Sequence, residues 1–221
     1  MTLQQLIGRF RIEADDLATP PYLWQPEWLV GWFNEAQHEA AVRARLLLDD
    51  YTESVCQVEV EAGRAHYGLH AKVYEIAHLH LEGTGRPCEP KLVTREWLDR
   101  AEPRWRELAA DTPRWAIQTD TRLRLVPVPR EAGLLRLEAY RLPLKDMAQD
   151  GDKPEIHEAH HLHLVQWVLY RAFGKPDADA HDPVRSGLAL DAFEGYFGRR
   201  PDADLRRATR HDEVQANVSI F

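Results

Sequence analysis

The hydrophobic period of this chain changes twice along its length, and that order limits the folds open to it. Up to residue 47, apolar residues recur every three or four positions, as in Leu3, Leu6 and Phe10, which is typical of amphipathic helices. From Val55 they alternate with polar residues, as strands require, and after residue 145 the helical period returns. We therefore expect an α+β fold in which a helical bundle domain (residues 1–54 and 146–198) carries an antiparallel β-rich insertion (residues 55–145).

Local signals place the helix ends. Thr2 and Gln5 have the spacing of a capping box, and Pro26 suits the first turn of a second helix. Asp152, Pro154 and Glu155 indicate the start of a central helix over residues 156–173. A last helix is expected to begin at Asp182-Pro183 and to end at Gly198, and Thr94 to cap a short helix inside the β-rich region.

The alternation of apolar and polar residues in the middle of the chain predicts several strands, the longest over residues 72–81. In that strand the alternation places Val73, Ala77, Leu79 and Leu81 on one face. His78 and His80 then share the other face with Tyr74 and Ile76, which favours a surface or subunit contact over a metal site. The other expected strands begin at Val55 or cover residues 115–119, 122–126 and 134–142.

Composition excludes some functions. The 221 residues carry a formal net charge of -8, so no global basic field is available for tight binding to nucleic acid, although a local basic patch is compatible with that total. Cys56 and Cys88 are widely spaced and follow no signal-peptide pattern, which indicates synthesis in a reducing cytosol. No run of about 18 apolar residues occurs, so we expect no membrane span.

The chain has no hydrophobic period over the residues that follow 198, up to residue 213. Residues 199–213 are mostly charged and small, and they offer too little apolar surface to offset the entropy of ordering them. Alternating apolar residues then follow, a pattern that suits strand addition to a partner. We expect residues 199–221 to form a C-terminal arm that orders only on assembly. Its expected partner-binding residues are Arg199, Arg200, Arg206, Arg207, Val218, Ile220 and Phe221.

One motif points to different chemistry. His157, Glu158 and His161 satisfy H-E-x-x-H, which on a helix presents two imidazoles to one zinc ion with a glutamate as general base. Glu194 is the candidate third ligand. A zinc metallopeptidase is therefore the alternative function, whereas we interpret the motif as the polar first turn of a buried helix. The common phosphate-binding loops and the nucleophile elbow are absent from the sequence, and we expect no catalysis and no cofactor.

Several segments in order resemble one family. They include residues 2–7, the Pro-Tyr-Leu-Trp run at 21–24, residues 34–40, the Pro-Glu-Ile run at 154–156, and the aromatic and aspartate positions from 161 to 198. Together they are similar to head-to-tail adaptor (connector) proteins of tailed bacteriophages. In that family the position of His161 is usually histidine and that of His157 commonly proline, which disfavours the zinc interpretation.

The resemblance implies a structural virion protein at the head-tail junction, assembled in the host bacterial cytoplasm. Its partners would be the portal protein, a tail or nozzle protein, and further copies of itself in a ring, with twelve-fold symmetry expected. The ring would extend the channel through which genomic DNA passes without sequence-specific binding, and would provide the attachment platform for the tail. Another neck or tail-tube protein is the remaining structural alternative.

Overall fold

A computed structural model describes residues 1–17, 21–83, 87–176 and 180–201. The described residues form two compact units, one from Met1–Leu48 and Arg141–Arg200, the other from Asp49–Tyr140. Helices and strands are both abundant, so the predicted α+β class is confirmed. The predicted domain boundaries after residues 54, 145 and 198 stay a prediction.

The described ranges contain six α-helices and eight strands. The helices are α1 (Leu3–Ala14), α2 (Pro26–Ala44), α3 (Glu53–Cys56), α4 (Arg95–Ala101), α5 (Leu164–Gly174) and α6 (Pro183–Phe197). The strands are β1 (Leu48–Asp49), β2 (Gln57–Val60), β3 (His66–Gly68), β4 (Val73–Gly83), β5 (Lys91–Leu92), β6 (Trp115–Gln118), β7 (Arg122–Val126) and β8 (Gly133–Arg141). Two 3₁₀ helices cover Trp105–Glu107 and Glu158–His163. None of these helices is long and apolar enough to cross a bilayer.

Helix α5 is central to the first unit and packs against α1, α2 and α6. Its apolar side chains join those of α1 and α2 in one core, in which Phe10, Phe33 and Val168 are inaccessible to solvent. The Trp24 ring meets Phe10 edge-on, with 5.5 Å between ring centroids. Burying each large apolar side chain contributes roughly 1.5–3 kcal/mol, so this core is the main source of stability for the unit.

The predicted helix ends are largely confirmed. Gln5 N–H donates to Thr2 Oγ1 (3.3 Å) and Thr2 N–H donates to Gln5 Oε1 (2.9 Å), which completes the capping box. Asp182 accepts two backbone N–H groups at the start of α6, and Thr94 accepts one at the start of α4. Gly198 ends α6 with a positive φ of 86°, a conformation that favours glycine.

The predicted central helix over residues 156–173 is wrong in its first half. The chain forms a 3₁₀ helix at Glu158–His163 and becomes α-helical only at Leu164. His157 precedes the 3₁₀ helix and caps it, since its Nδ1 accepts the N–H of Ala159 (3.2 Å). In 3₁₀ geometry residues three apart are aligned, so positions four apart do not share one face.

Two sheets organise the second unit. One has the order β1-β8-β2 with β4 also paired to β8, and the other has the order β3-β7-β6-β5. In the second sheet β7 pairs antiparallel with both neighbours, and His66 of β3 lies opposite Arg124 of β7. Residues 53–56 form α3, so the strand that we expected from Val55 begins at Gln57 instead.

The predicted alternation along β4 is wrong in its middle. Ile76 is buried and Ala77 exposed, the reverse of the expectation, whereas Val73, Leu79 and Leu81 are buried as predicted. The Gln118 side chain bonds to the backbone at this point, since its Oε1 accepts the N–H of Ile76 (2.9 Å) and its Nε2 donates to Tyr74 O (3.1 Å).

His78 and His80 are half-exposed, in agreement with a surface position. Each has a ring nitrogen near a Glu89 carboxylate oxygen, at 3.8 and 3.7 Å respectively. Their role in a subunit contact stays a prediction.

Candidate partner-binding site at the carboxyl end of helix α6

The carboxyl end of α6 is where the predicted partner-binding arm begins. Gly198 turns the chain out of the helix, and Arg199 and Arg200 follow it. The other predicted arm residues, Arg206, Arg207, Val218, Ile220 and Phe221, lie outside the described residues. The described part of the site is therefore the base of the arm and the helices that hold it.

A nearly buried arginine organises this base. The Arg43 side chain is 5% exposed; its Nε donates to Glu39 Oε2 (3.0 Å) and its Nη1 donates to Glu194 Oε1 (3.0 Å). Nη1 also lies 3.4 Å from Gly198 O at the end of α6. The guanidinium is 5.2 Å from the Trp167 ring centroid and 5.3 Å from that of Phe193. Arg43 thus joins α2 to the last turn of α6 by paired charge and by packing.

The first two arm residues extend this ionic network. Arg200 Nη1 is 3.3 Å from Glu39 Oε1, and Arg199 Nε is 3.7 Å from Glu194 Oε2. Their side chains remain 68% and 91% exposed, so both cations keep most of their surface open to solvent. Exposed pairs of this kind contribute little, at most about 1 kcal/mol each. We call Glu39, Arg43, Glu194, Arg199 and Arg200 the arm-base network.

His161 of the H-E-x-x-H motif is bonded to other groups of the first unit. Its ring is 2% exposed and both nitrogens are engaged: the Met1 amino group donates to Nδ1 (2.8 Å), and Nε2 is 2.8 Å from Ile156 O. Because Nδ1 accepts, Nε2 carries the proton and donates, which fixes a neutral imidazole. Burial, followed by the positive Met1 amino group, lowers its pKa in spite of the hydrogen bond to Ile156 O, which raises it.

The other proposed zinc ligands are also committed elsewhere. His157 caps the 3₁₀ helix, and Glu194 belongs to the arm-base network. Among the described residues, no three His, Cys, Asp or Glu side chains are grouped so as to hold a metal ion. In the part of the chain that the structure describes, His157, His161 and Glu194 are therefore not grouped around one metal position.

Two further histidines pack against α6. The His163 ring stacks on Tyr196, with 3.4 Å between centroids and 13° between planes, and His160 Nδ1 lies 3.1 Å from Tyr196 Oη. The pKa of His160 is lowered, mainly by burial and then by the neighbouring His157 and His163. These rings pack against Tyr196 and Phe197 in the last turn of α6.

Sequence reasoning missed the polar groups that position the entry to the 3₁₀ helix. Asn34 Nδ2 donates to Met147 O (2.9 Å), and Met147 N–H donates to Asn34 Oδ1 (2.8 Å). The fully buried Gln37 donates from its Nε2 to Asn34 Oδ1 (3.0 Å), and its Oε1 accepts the N–H of Glu155 (3.4 Å). The four-residue spacing of Glu39 and Arg43 was a usable signal for their pair, but nothing local indicated Glu194 or Met147.

Comparison with known proteins yields one family. The family model described as SU10 adaptor protein matches residues 1–217, which cover both units and most of the arm. No curated protein matches the chain.

Proposed function

Since the chain belongs to the SU10 adaptor protein family, a phage head-to-tail adaptor family, we propose that it forms a ring under the portal. This ring extends the DNA channel and provides the attachment platform for the tail. Its partners are the portal protein, a tail or nozzle protein and neighbouring copies of itself. The ring contains twelve copies of this chain. The chain acts as a structural component of the virion neck and catalyses no reaction.

The single observation that carries this proposal is the family match over residues 1–217. The match covers both compact units of the described structure and extends into the residues that we assign to the arm. We also propose that the ring assembles in the host bacterial cytoplasm. DNA passes through the ring without sequence-specific contacts.

The arm-base network supports a specific role for the arm. Arg43 fixes Gly198, so the arm leaves the first unit from one defined point. Arg199 and Arg200 are tied at one end and exposed over most of their surface. Beyond them we propose that Arg206, Arg207, Val218, Ile220 and Phe221 contact the portal or a neighbouring subunit, and that the arm orders on assembly. Alternating apolar side chains suit pairing with the edge of a partner sheet.

Truncation separates the arm from its base. A chain ending at Pro201 retains the complete arm-base network, so we expect it to fold with unchanged circular dichroism. We expect it to lose attachment to tailless, portal-bearing heads, measured by co-sedimentation. A second variant, Val218→Asp with Ile220→Asp, keeps the length and tests the apolar pattern alone.

The outcomes address two separate statements. Attachment of the truncated chain at the level of the full chain would refute the role of the arm. Failure of the full chain to bind portal-bearing heads, with binding to tails instead, would refute the adaptor role and favour a tail-tube protein.

A further inference from the structure

A cluster of basic side chains on the second unit has no part in the function proposed above. It lies on the face of the second sheet that α4 and the 3₁₀ helix at 105–107 partly cover, next to the small core that contains Trp105, Ile117 and Val126. Its members are His66, Arg95, Arg106, Arg122 and Arg124. We call this cluster the arginine patch.

Strand register brings the patch together. Arg122 and Arg124 are two residues apart on β7 and therefore face the same way, about 7 Å apart. His66 lies opposite Arg124 on β3, and Gly68 lies opposite Arg122. Gly68 has no side chain, and apart from its chain neighbours no atom of the described residues lies within 4 Å of where a Cβ would be. An open depression of about 660 Å³, lined by residues 63–68 and Arg122, adjoins this position.

Trp105 holds two of the guanidinium groups in place. The Arg106 and Arg124 guanidinium carbons are 4.2 and 4.4 Å from the Trp105 ring centroid. The indole N–H is fixed in turn by Asp99 Oδ1 (2.8 Å), which also accepts from Arg106 (2.5 Å). Stacked guanidinium groups lose less side-chain entropy when they bind a ligand, because their orientation is already set.

The patch carries more positive charge than the structure neutralises. Among the described residues, no carboxylate lies within ion-pair distance of Arg95, Arg122 or Arg124. Arg124 Nε is buried and has no hydrogen-bond partner there. The pKa of Arg124 is lowered by burial and then by Arg106 and Arg95, and that of His66 by burial and then by Arg124, Arg122 and Arg95. These cations repel one another in a chain whose net charge is -8.

We propose that the arginine patch binds the phosphodiester backbone of nucleic acid, through Arg95, Arg122 and Arg124, whereas Arg106 stays paired with Asp99. Guanidinium groups match phosphate oxygens in a planar, two-bond geometry. A duplex presents one phosphate for about every 1.7 Å of its axis, so it neutralises several cations at once, whereas an isolated protein carboxylate neutralises one. The inference rests on the proposed function, which places DNA inside the assembly. It assigns to this chain a weak, sequence-independent contact with that DNA.

Salt dependence of binding tests this assignment on the full chain. We would measure the anisotropy of a labelled duplex of about 30 base pairs between about 50 and 200 mM salt. The double variant Arg95→Ala with Arg122→Ala removes two exposed cations from the patch. The logarithmic salt slope is expected to fall by about 1.8, because each lost phosphate contact removes about 0.9, and affinity at low salt by roughly tenfold or more.

Two control variants separate charge from folding and from position. Arg95→Lys with Arg122→Lys keeps both charges and is expected to retain most of the slope. Arg104 belongs to the same unit; its side chain is 81% exposed and already pairs with Glu107 (2.7 Å). Arg104→Ala is therefore expected to leave binding unchanged.

Two results would overturn the proposal: no duplex binding by the natural chain at about 0.1 mM and low salt, or an unchanged slope in the double alanine variant. Binding of polyglutamate in the first case would identify an acidic protein surface as the ligand. Each leaves attachment to portal-bearing heads as a separate measurement, so failure here is distinguishable from failure of the adaptor role.

Discussion

Replacing Arg43 by Met tests how the base of the arm is held. Methionine keeps most of the packing against Trp167 and Phe193 but removes the charge that Glu39 and Glu194 share. Removing one member of a buried ion pair costs about 3–5 kcal/mol. Glu39 and Glu194 then keep only the exposed Arg200 (3.3 Å) and Arg199 (3.7 Å), and pairs of that kind offset little of the cost. Glu39 is 14% and Glu194 27% exposed, so solvent relieves part of this cost, and we expect a loss of about 3 kcal/mol in the free energy of unfolding.

Urea denaturation followed by tryptophan fluorescence measures this loss. The matched control combines Arg43→Met with Glu39→Gln and Glu194→Gln, which removes the two carboxylates that Arg43 had paired, and it is expected to recover at least about 1 kcal/mol. A loss below about 1 kcal/mol in the single variant would place Arg43 among ordinary surface pairs. Equal stability of the single and triple variants would refute the argument that uncompensated charge causes the loss.

Other predictions concern the first unit. Asn34→Ala should lower the free energy of unfolding by about 2 kcal/mol in chemical denaturation, because it strands both backbone groups of Met147; a loss under about 0.5 kcal/mol would contradict this. The pKa of His161 is below its unfolded value of about 6.5, so its contribution to stability is complete above that pH and is lost as the pH falls. Melting temperature should therefore drop between about pH 7 and 5, and less so in His161→Gln; parallel curves would contradict the assignment. Asp182→Ala should cost about 1 kcal/mol in thermal unfolding by removing the cap of α6, whereas no change would show that the cap is dispensable.

Local chemistry made much of the fold predictable. The capping box at Thr2, the caps at Thr94 and Asp182 and the end of α6 at Gly198 depend on neighbours within a few residues, and all were found from sequence. The change of hydrophobic period likewise gave the α+β class. Such signals survive because the physical cause lies within the segment itself.

Other features depend on contacts distant in sequence. The sequence of a six-residue run does not distinguish a 3₁₀ helix from an α-helix. At Glu158–His163 the chain is a 3₁₀ helix, and His161 within it bonds to Met1 and Ile156. Likewise, the alternation along β4 breaks where the Ile76 N–H donates to the side chain of Gln118, which lies 42 residues further along the chain.

In the candidate site, too, local pairs could be predicted from the sequence and contacts between distant residues could not. The spacing of Glu39 and Arg43 is local, but their link to Glu194 exists only because α2 and α6 meet in the folded unit. The arginine patch could not be predicted from the sequence either. Its members come from β3, α4, the 3₁₀ helix at 105–107 and β7, and no linear run of basic residues indicates it.

Electron cryomicroscopy of the assembled phage particle tests the central claim most directly, because it locates this chain among its neighbours. The account predicts a ring of twelve copies between portal and tail around the DNA channel, with residues 199–221 in contact with the portal or an adjacent copy. Density for this chain in the tail tube or on the capsid, or its absence from the particle, would contradict that claim.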